Sequence, residues 1–241
     1  MKSATRHGVA RVISKLGLGS RTQAVQWVRQ GRVRVNGILV SDAEFPVMYQ
    51  LDIVTVDGQD DKPARMAVML NKPRGLVTTT KDEQGRETVY SCFAGASLPW
   101  LAPVGRLDKA SEGLLLFSND SEWAARITDP TTGPHKKYRV QIDRVADSSM
   151  LAALMRGVQS QGDHISAKSA RVLRTGGKTA WLEIVLAEGR NRQIRRLLAA
   201  FDVSVLRLVR VAIGPLVLGE LPKGRWRALT DDEMNAFELK Q

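Results

Sequence analysis

Residues 105–117 read GRLDKASEGLLLF, a charged turn followed directly by an apolar run. A glycine and several charged residues before an uncharged run predict a turn that leads into a buried strand. Asp108 then lies at the mouth of a core strand, where its carboxylate can face a ligand while neighbouring residues hold it. A carboxylate in that place can act as a nucleophile or as a base. The alternative is structural, because Asp108 could also cap the turn or pair with Arg106.

The sequence around this stretch alternates short strand-like runs with a few helical segments. Such mixing favours an α+β fold, with a mixed, largely antiparallel sheet and flanking helices. We expect this domain to span residues 66–241, behind a polar linker at residues 59–65. The predicted strands are 67–70, 113–117, 138–142, 181–186 and 205–211, and the predicted helices are 148–157 and 192–201.

The composition is that of an ordinary soluble globular chain. It has 241 residues, of which 43% are hydrophobic and 25% charged, and no apolar run approaches the roughly 18 residues of a membrane-spanning helix. Disordered, collagenous and membrane proteins are thereby excluded. The single cysteine, Cys92, cannot close an internal disulfide, which fits a reducing, cytoplasmic compartment. The histidines are too far apart to form a recognisable metal-ligand spacing, so we expect no metal.

Positive charge is concentrated at the amino terminus. The formal net charge is +11, and residues 1–40 hold eight cations and no acidic residue. Such an excess repels itself unless a polyanion is close, and a phosphate backbone is a suitable partner. The alternative interpretation is a solvated basic face that serves solubility. The eight cations are Lys2, Arg6, Arg11, Lys15, Arg21, Arg29, Arg32 and Arg34.

The same region predicts a small α/β unit at residues 1–60. Ser20 is a suitable N-cap for a helix that ends at Gly31, and alternating apolar residues around Asn36-Gly37 predict a hairpin with a type I′ turn. Over residues 6–58 the pattern resembles the αL RNA-binding domain found in a small-subunit ribosomal protein, several RNA-modifying enzymes and a tyrosyl-tRNA synthetase. The cations around the junction of the predicted elements are Arg21, Arg29, Arg32 and Arg34.

Two further segments carry charged residues that could belong to a functional site. Residues 70–77 read LNKPRGLV and put Lys72 and Arg74 on either side of a proline that fixes a turn. Residues 188–198 read EGRNRQIRRLL, where Asn191 can cap a helix that presents arginines to one cleft. Taken alone, the first segment could be a basic hairpin corner and the second a solvated basic helix face.

Taken in order, these segments resemble the pseudouridine synthases that modify single uridines of small- or large-subunit ribosomal RNA. Together with the amino-terminal unit, the resemblance covers the whole chain. It implies an isomerase that needs no cofactor and no metal, with ribosomal RNA as its partner in the cytoplasm, and we expect a monomer. The resemblance rests on KPRG at 72–75, GRLDKASEGLLL at 105–116, KY at 137–138 and EGRNRQIRR at 188–196.

The resemblance also implies roles for particular residues. Asp108 takes the position of the family's catalytic aspartate, Tyr138 that of the aromatic residue that stacks on the target base, and Arg195 that of the arginine that pairs with the aspartate. Asp108 would either add to C1′ or remove the C2′ proton, and the sequence leaves both routes open. The cations that would hold phosphates next to the target are Arg106, Lys72, Arg74 and Arg192.

The target and the class of function leave alternatives. The stretch 221–233 is most similar to members that act on large-subunit (23S) ribosomal RNA, while small-subunit (16S) ribosomal RNA and tRNA stay open. A noncatalytic RNA-binding factor of ribosome assembly would share the basic amino terminus, but it would not need Asp108, Tyr138 and Arg195 in family order. A glycosidase needs two catalytic carboxylates, and Glu112 is the only second candidate near Asp108.

Overall fold

The computed structural model describes residues 5–58, 63–80 and 82–238. Residues 59–62 of the predicted linker lie outside this part of the chain. Among the described residues, no helix is both long and apolar enough to cross a membrane.

The first of two compact units comprises the residues up to 67, together with 96–102 and 117–122. Its elements are β1 (Arg6–Gly8), α1 (Val9–Lys15), α2 (Arg21–Arg29), β2 (Val33–Val35), β3 (Ile38–Leu39), β4 (Pro46–Met48) and β5 (Val54–Val56). Strands β3, β2 and β5 form one small sheet, and β1 pairs with β4. Apolar side chains from both helices and from the strands form a core around Val12, Ile13 and Val28.

The cap and the turns predicted for this unit are confirmed. Ser20 forms a capping box at the start of α2, in which its hydroxyl accepts from the Gln23 N–H and its own N–H donates to the Gln23 side chain. Asn36 and Gly37 have φ values of 50° and 82°, the left-handed backbone that a type I′ turn between β2 and β3 requires. Gly31, with φ of 68°, follows the end of α2. Short-range signals therefore decide the local geometry here.

The second compact unit contains the other residues from 68 onward. Three of its strands, β6, β7 and β8, have ends in the first unit, and α3 begins there. The strands are β6 (Ala67–Lys72), β7 (Ala102–Val104), β8 (Glu112–Ser118), β9 (Lys136–Ile142), β10 (Val158–Ser160), β11 (Asp163–Ile165), β12 (Ser169–Thr175), β13 (Ala180–Leu186), β14 (Val205–Ile213), β15 (Leu216–Val217) and β16 (Trp226–Ala228). The helices are α3 (Ser121–Thr128), α4 (Ser148–Arg156), α5 (Gln193–Ala199) and α6 (Asp231–Asn235), and Val89–Phe93 form a 3-10 helix.

A nine-stranded sheet organises this unit. Its strand order is β12-β13-β9-β14-β8-β6-β16, with β7 beside β8 and β15 beside β14. The pairs β12–β13, β13–β9, β9–β14 and β6–β16 are antiparallel, whereas β14 and β8 run parallel. The predicted α+β fold with a mixed, largely antiparallel sheet is therefore confirmed.

Burial along the strands decides which side chains face the packed side of the sheet. All residues of β6 and β8 are buried, whereas β9 and β13 alternate between buried and more exposed residues. Alternation with a period of two means that one face of these two strands is packed and the other is open. In β9, Lys136 and Tyr138 belong to the buried series. Both side chains therefore lie on the packed face.

The start of α5 differs from its prediction. Its N-cap residue is Arg192, whose φ of 48° is left-handed and whose side chain makes no capping hydrogen bond. The prediction of Asn191 as the cap is therefore wrong. The turn before the helix is instead held by Gln193, whose side-chain oxygen accepts a hydrogen bond from the Arg190 N–H at 3.1 Å.

Lys72 holds the turn that carries Asp108. The Lys72 side chain is completely buried, and its Nζ donates to the carbonyl oxygens of Pro73 at 3.0 Å, Asp108 at 3.2 Å and Ser111 at 2.9 Å. Burial lowers the pKa of Lys72 to about 8, although the charge of Asp108 acts in the opposite direction. The expectation that Lys72 holds an RNA phosphate is wrong, because a buried ammonium whose three N–H groups already have acceptors cannot reach one.

Gly113 lets β8 approach β14 closely. Its φ is +100°, and an added Cβ would lie 2.2 Å from the Arg210 carbonyl oxygen and 2.8 Å from the Arg210 nitrogen. Real Cβ atoms do not come that close to backbone atoms, so the parallel pairing of Arg210 with Gly113 needs a residue without a side chain.

We expect Gly113→Ala to destabilise the protein more than Gly75→Ala. Gly75 has φ of +102° and no heavy atom within 4 Å of an added Cβ, so it reports the backbone strain alone. That strain costs about 1–3 kcal/mol. The clash at Gly113 adds roughly 1–3 kcal/mol to it. Urea unfolding of both variants measures the difference, and equal losses would contradict the close approach.

We expect Lys72→Met to lower the free energy of unfolding by roughly 2–4 kcal/mol, because three buried carbonyls lose their donor. The folded pKa of about 8 lies below the 10.5 of an ordinary lysine, so the unfolded chain binds more protons between these values. The stability of the unmodified protein relative to this variant must then increase as the pH rises from about 8 to about 10.5.

The control is Lys109→Met, an exposed lysine of the same turn. It should change the free energy of unfolding by less than about 0.5 kcal/mol. Urea unfolding at several pH values measures both variants. A stability difference for Lys72→Met that stays constant or shrinks above pH 8 would contradict the burial of a charged ammonium.

Candidate active site

A cleft in the second unit brings together side chains that are far apart in sequence. Its volume is about 270 Å³, and its walls come from the turn after β7, the end of α3, strand β9, the segment leading into α5, and β14. Asp108, Tyr138 and Arg195 all line it. The three residues to which the sequence assigned chemistry thus share one cleft.

Asp108 lies in the turn that Lys72 holds, and a third of its side chain is exposed. Its Oδ2 is 3.6 Å from Nη1 of Arg192. Thr78 supports the same turn, because its hydroxyl donates to the Leu107 carbonyl at 2.8 Å. The carboxylate is therefore fixed through its backbone and stays open to a ligand.

Arg195 does not form the predicted ion pair with Asp108. Its guanidinium donates to the carbonyl oxygens of Val205 at 3.4 Å and Ala110 at 3.5 Å, and within the described residues the ion pair of Asp108 is with Arg192. Arg192 is the residue before the helix, with a left-handed backbone, and its side chain reaches Asp108 instead. Burial lowers the pKa of Arg195, as does the charge of Arg192, whereas Asp108 raises it. Arg195 is thus close enough to Asp108 to interact with its charge.

Tyr138 is held in the sheet, and only 7% of it is exposed. It is paired with Ile184 of β13 on one side and with Arg210 of β14 on the other. Because β9 pairs with a strand on both of its edges, the sheet fixes the backbone that carries the Tyr138 ring, and no loop does so.

Two buried cations of this cleft were not predicted. Arg210 is 6% exposed and Lys136 is 7% exposed, and both line the cleft. The Arg210 Nε donates to the Leu114 carbonyl at 2.8 Å, while its Nη2 is buried and has no hydrogen-bond partner among the described residues. One signal for Lys136 was present in the sequence, since it lies two residues before Tyr138 and a strand brings both to the same face.

The cations predicted to hold phosphates near the target have different positions. Arg106 is exposed and lines the cleft, and Arg192 lines it while paired with Asp108. Arg74 is exposed and acts on Arg195 through its charge, which lowers the pKa of Arg195. Lys72 is buried and belongs to the support of the turn.

The predicted cations of the first unit are on its surface, and some of them form ion pairs or hydrogen bonds within the unit. Arg21 lies 4.0 Å from Glu44, and Arg34 lies 3.8 Å from Asp57, in exposed ion pairs that are worth little. Arg32 stacks on Trp27, with 5.8 Å between its guanidinium carbon and the ring centroid, and donates to the Asp57 carbonyl. For exposed Arg29, no ion pair is found in the part of the chain that the structure describes.

The charge balance of the cleft indicates the ligand that it suits. One carboxylate, Asp108, and six cations line the cleft, and one of these cations, Arg190, is paired with Asp163 and Glu188. The remaining excess of positive charge attracts a polyanion, and Asp108 offers one group for nucleophilic or base chemistry. The six cations that line the cleft are Arg106, Lys136, Arg190, Arg192, Arg195 and Arg210.

Comparison with known proteins gives two family matches. The RNA pseudouridylate synthase family matches residues 66–200, which is more than half of the chain, and the S4 domain matches residues 9–47. The segment 66–200 contains Asp108, Tyr138 and Arg195.

Individual proteins are similar over nearly the whole chain. A protein of Aquifex aeolicus described as an uncharacterized RNA pseudouridine synthase is 36% identical, over 94% of this chain and 91% of that protein. The ribosomal large subunit pseudouridine synthase B of Bacillus subtilis is 31% identical, over 94% of this chain and 98% of that protein. The protein of the same name from Pseudomonas aeruginosa is 33% identical, over 93% of this chain but 60% of its own length.

A solved structure has the same fold. The crystal structure of a pseudouridylate synthase aligns with a TM-score of 0.65 at 30% sequence identity, and it covers 97% of this chain and 99% of that chain. The family match, the relatives and this structure lead to one conclusion: the chain belongs to the RNA pseudouridylate synthase family, and it is an RNA-modifying isomerase with an S4 domain at its amino terminus.

Proposed function

We propose that this chain converts a specific uridine of large-subunit ribosomal RNA to pseudouridine, with Asp108 as the catalytic carboxylate. The observation that carries the proposal is the single cleft lined by Asp108, Tyr138 and Arg195, with one carboxylate among six cations. The target is supported by the relatives from Bacillus subtilis and Pseudomonas aeruginosa, whose names give that activity on the large subunit.

RNA binding is divided between two parts of the chain. We assign sequence-independent backbone contacts to residues 1–60, a unit that begins with an excess of cations and matches the S4 domain. Residues 66–241 form the catalytic domain. The contacts in the first domain are assigned to Arg21, Arg29, Arg32 and Arg34, and those near the target to Arg106, Arg74 and Arg192.

The target nucleotide must leave its helix to reach Asp108. Unstacking and unpairing a base costs a few kcal/mol, and stacking on an aromatic side chain returns roughly 1–3 kcal/mol. Tyr138 is assigned this stacking role because it lines the cleft with a ring held in a central strand. Phosphate contacts at the rim of the cleft, including those of Arg106, offset the rest of the cost of unstacking the base.

Asp108 then acts at the sugar of the flipped nucleotide. In one route its carboxylate oxygen attacks C1′ and displaces N1, and in the other the carboxylate removes the C2′ proton while N1 departs. Both routes end with the uracil turned so that C5 bonds to C1′, and both return Asp108 to its starting form. The net change is an isomerisation without oxidation or reduction, so the proposal includes no cofactor.

The two arginines near Asp108 have different assignments. Arg192 is 52% exposed, and its pair with Asp108 orients the carboxylate with little effect on stability. Arg195 is half-buried and held by two carbonyls, so it contributes a fixed positive charge beside the reacting sugar.

The experiment that tests the function uses a strain that lacks this gene, with its pseudouridines mapped across 23S, 16S and transfer RNA. We expect one site in 23S RNA to lose pseudouridine, to regain it with the unmodified gene, and to stay unmodified with Asp108→Asn. Purified Asp108→Asn should form no product while its RNA dissociation constant changes less than about threefold, since no phosphate contact is removed.

The matched control is Asp202→Asn, which makes the same chemical change at an exposed position with φ of +55° that asparagine also tolerates. The gene that carries Asp202→Asn should restore pseudouridine fully in the strain that lacks the unmodified gene. Loss of pseudouridine from 16S RNA or tRNA instead would contradict the proposed target, and product formation by Asp108→Asn would contradict the assigned carboxylate.

A further inference from the structure

Two buried cations line the cleft without forming an ion pair. Arg210 and Lys136 are both more than nine-tenths buried, and within the described residues neither makes an ion pair within 4.0 Å. A charge taken out of water without a partner is costly. The charges of both groups are therefore available to a ligand that occupies the cleft.

The Arg210 side chain is anchored at one end and free at the other. Its Nε donates to the Leu114 carbonyl at 2.8 Å, an approach that the close pairing at Gly113 permits. Its Nη2 is buried without a partner. Arg210 is also the direct cross-strand neighbour of Tyr138, so the two side chains project from the same face of the sheet.

Lys136 is on the same face, two residues before Tyr138, and has no side-chain hydrogen bond within the part of the chain that the structure describes. Burial lowers the pKa of Lys136 and the charge of Arg210 lowers it further, whereas the charge of Asp129 raises it. An anion next to both groups would remove this repulsion.

The depth of these cations decides which part of an RNA they meet. Backbone phosphates stay in contact with water, where the cleft offers exposed cations such as Arg190, at 36%, and Arg192, at 52% exposure. Arg210 and Lys136 lie deeper, beside Tyr138. A flipped base enters to that depth, whereas a phosphate does not.

We propose that Arg210 and Lys136 are catalytic residues that stabilise the negative charge of the uracil after it separates from C1′. This inference rests on the proposed function. When the C1′–N1 bond breaks, both electrons stay with N1, and the charge spreads over N1, O2 and O4 of the ring. Donors fixed beside that charge in a site shielded from water lower the barrier.

The remaining steps balance within the same nucleotide. The anionic uracil turns, and its C5 supplies the electron pair of the new bond to C1′. The C5 proton is then lost and N1 gains a proton, so the product has the same atoms as the substrate. The role of the two cations is the same for either route at Asp108, because the base departs as an anion in both.

The test compares Arg210→Met and Lys136→Met on two RNAs that differ at the target, one with uridine and one with 5-fluorouridine. Fluorine at C5 withdraws electrons and stabilises the uracil anion without help from the protein. With saturating enzyme we expect each variant to consume uridine about 100-fold more slowly or worse. The loss with 5-fluorouridine should be at least about tenfold smaller. Digestion of the RNA followed by nucleoside analysis measures how much uridine or 5-fluorouridine has been consumed.

Lys137→Met is the matched control, because it makes the same change on the open face of the same strand and should keep the full rate. Thermal unfolding separates catalysis from folding: Lys136→Met removes a buried ammonium that makes no hydrogen bond or ion pair within the described residues, so its Tm should stay the same or rise. If Arg210→Met unfolds early, Lys136→Met alone decides the result.

Equal losses on both RNAs, or full rates in both variants, would overturn the inference. So would a loss confined to the RNA dissociation constant. Failure of the proposed function is distinguishable from these outcomes, because in that case the unmodified protein itself converts no uridine.

Discussion

The Lys72 ammonium and its three carbonyl acceptors are the interaction on which the rest of the site depends. The acceptors belong to Pro73, Asp108 and Ser111, so one buried side chain ties the end of β6 to both ends of the turn that carries the carboxylate. Burying an ammonium is unfavourable, and the pKa lowered to about 8 reflects this. The gain is a carboxylate with a fixed backbone whose side chain remains free to act. The sheet supplies the opposite wall, because Tyr138 and Arg210 are paired across β9 and β14.

The fold could be predicted from the sequence where local signals were strong. The capping box at Ser20 and the Asn36-Gly37 turn are short-range features, and the apolar run of β8 is buried as its composition indicates. Strand β12 is mostly exposed, and two of its seven residues are arginines, so its sequence does not predict a strand, and it forms through its pairing with β13. Local propensity cannot report such tertiary pairing.

The sequence predicted that three residues would lie together, but it did not predict their contacts correctly. Asp108, Tyr138 and Arg195 share one cleft, as the order of the motifs indicated. The sequence did not show that Arg192 rather than Arg195 pairs with Asp108, or that Lys72 is buried at the end of β6. Neither follows from residue type. Arg210 and Lys136 were not selected from the sequence, because a cation on a central strand is unusual. Their position next to Tyr138 is visible only once the strands are paired.

We propose that a uridine enters this cleft and meets Asp108 on one side and Tyr138 on the other. The most direct measurement is a crystal structure of the protein with an RNA hairpin that carries 5-fluorouridine at the mapped target. We expect a flipped base beside Tyr138, with C1′ bonded to an Asp108 oxygen or within about 3–3.5 Å of it. A base that stays stacked in the RNA, or one bound outside the cleft with Asp108 facing solvent, would contradict it.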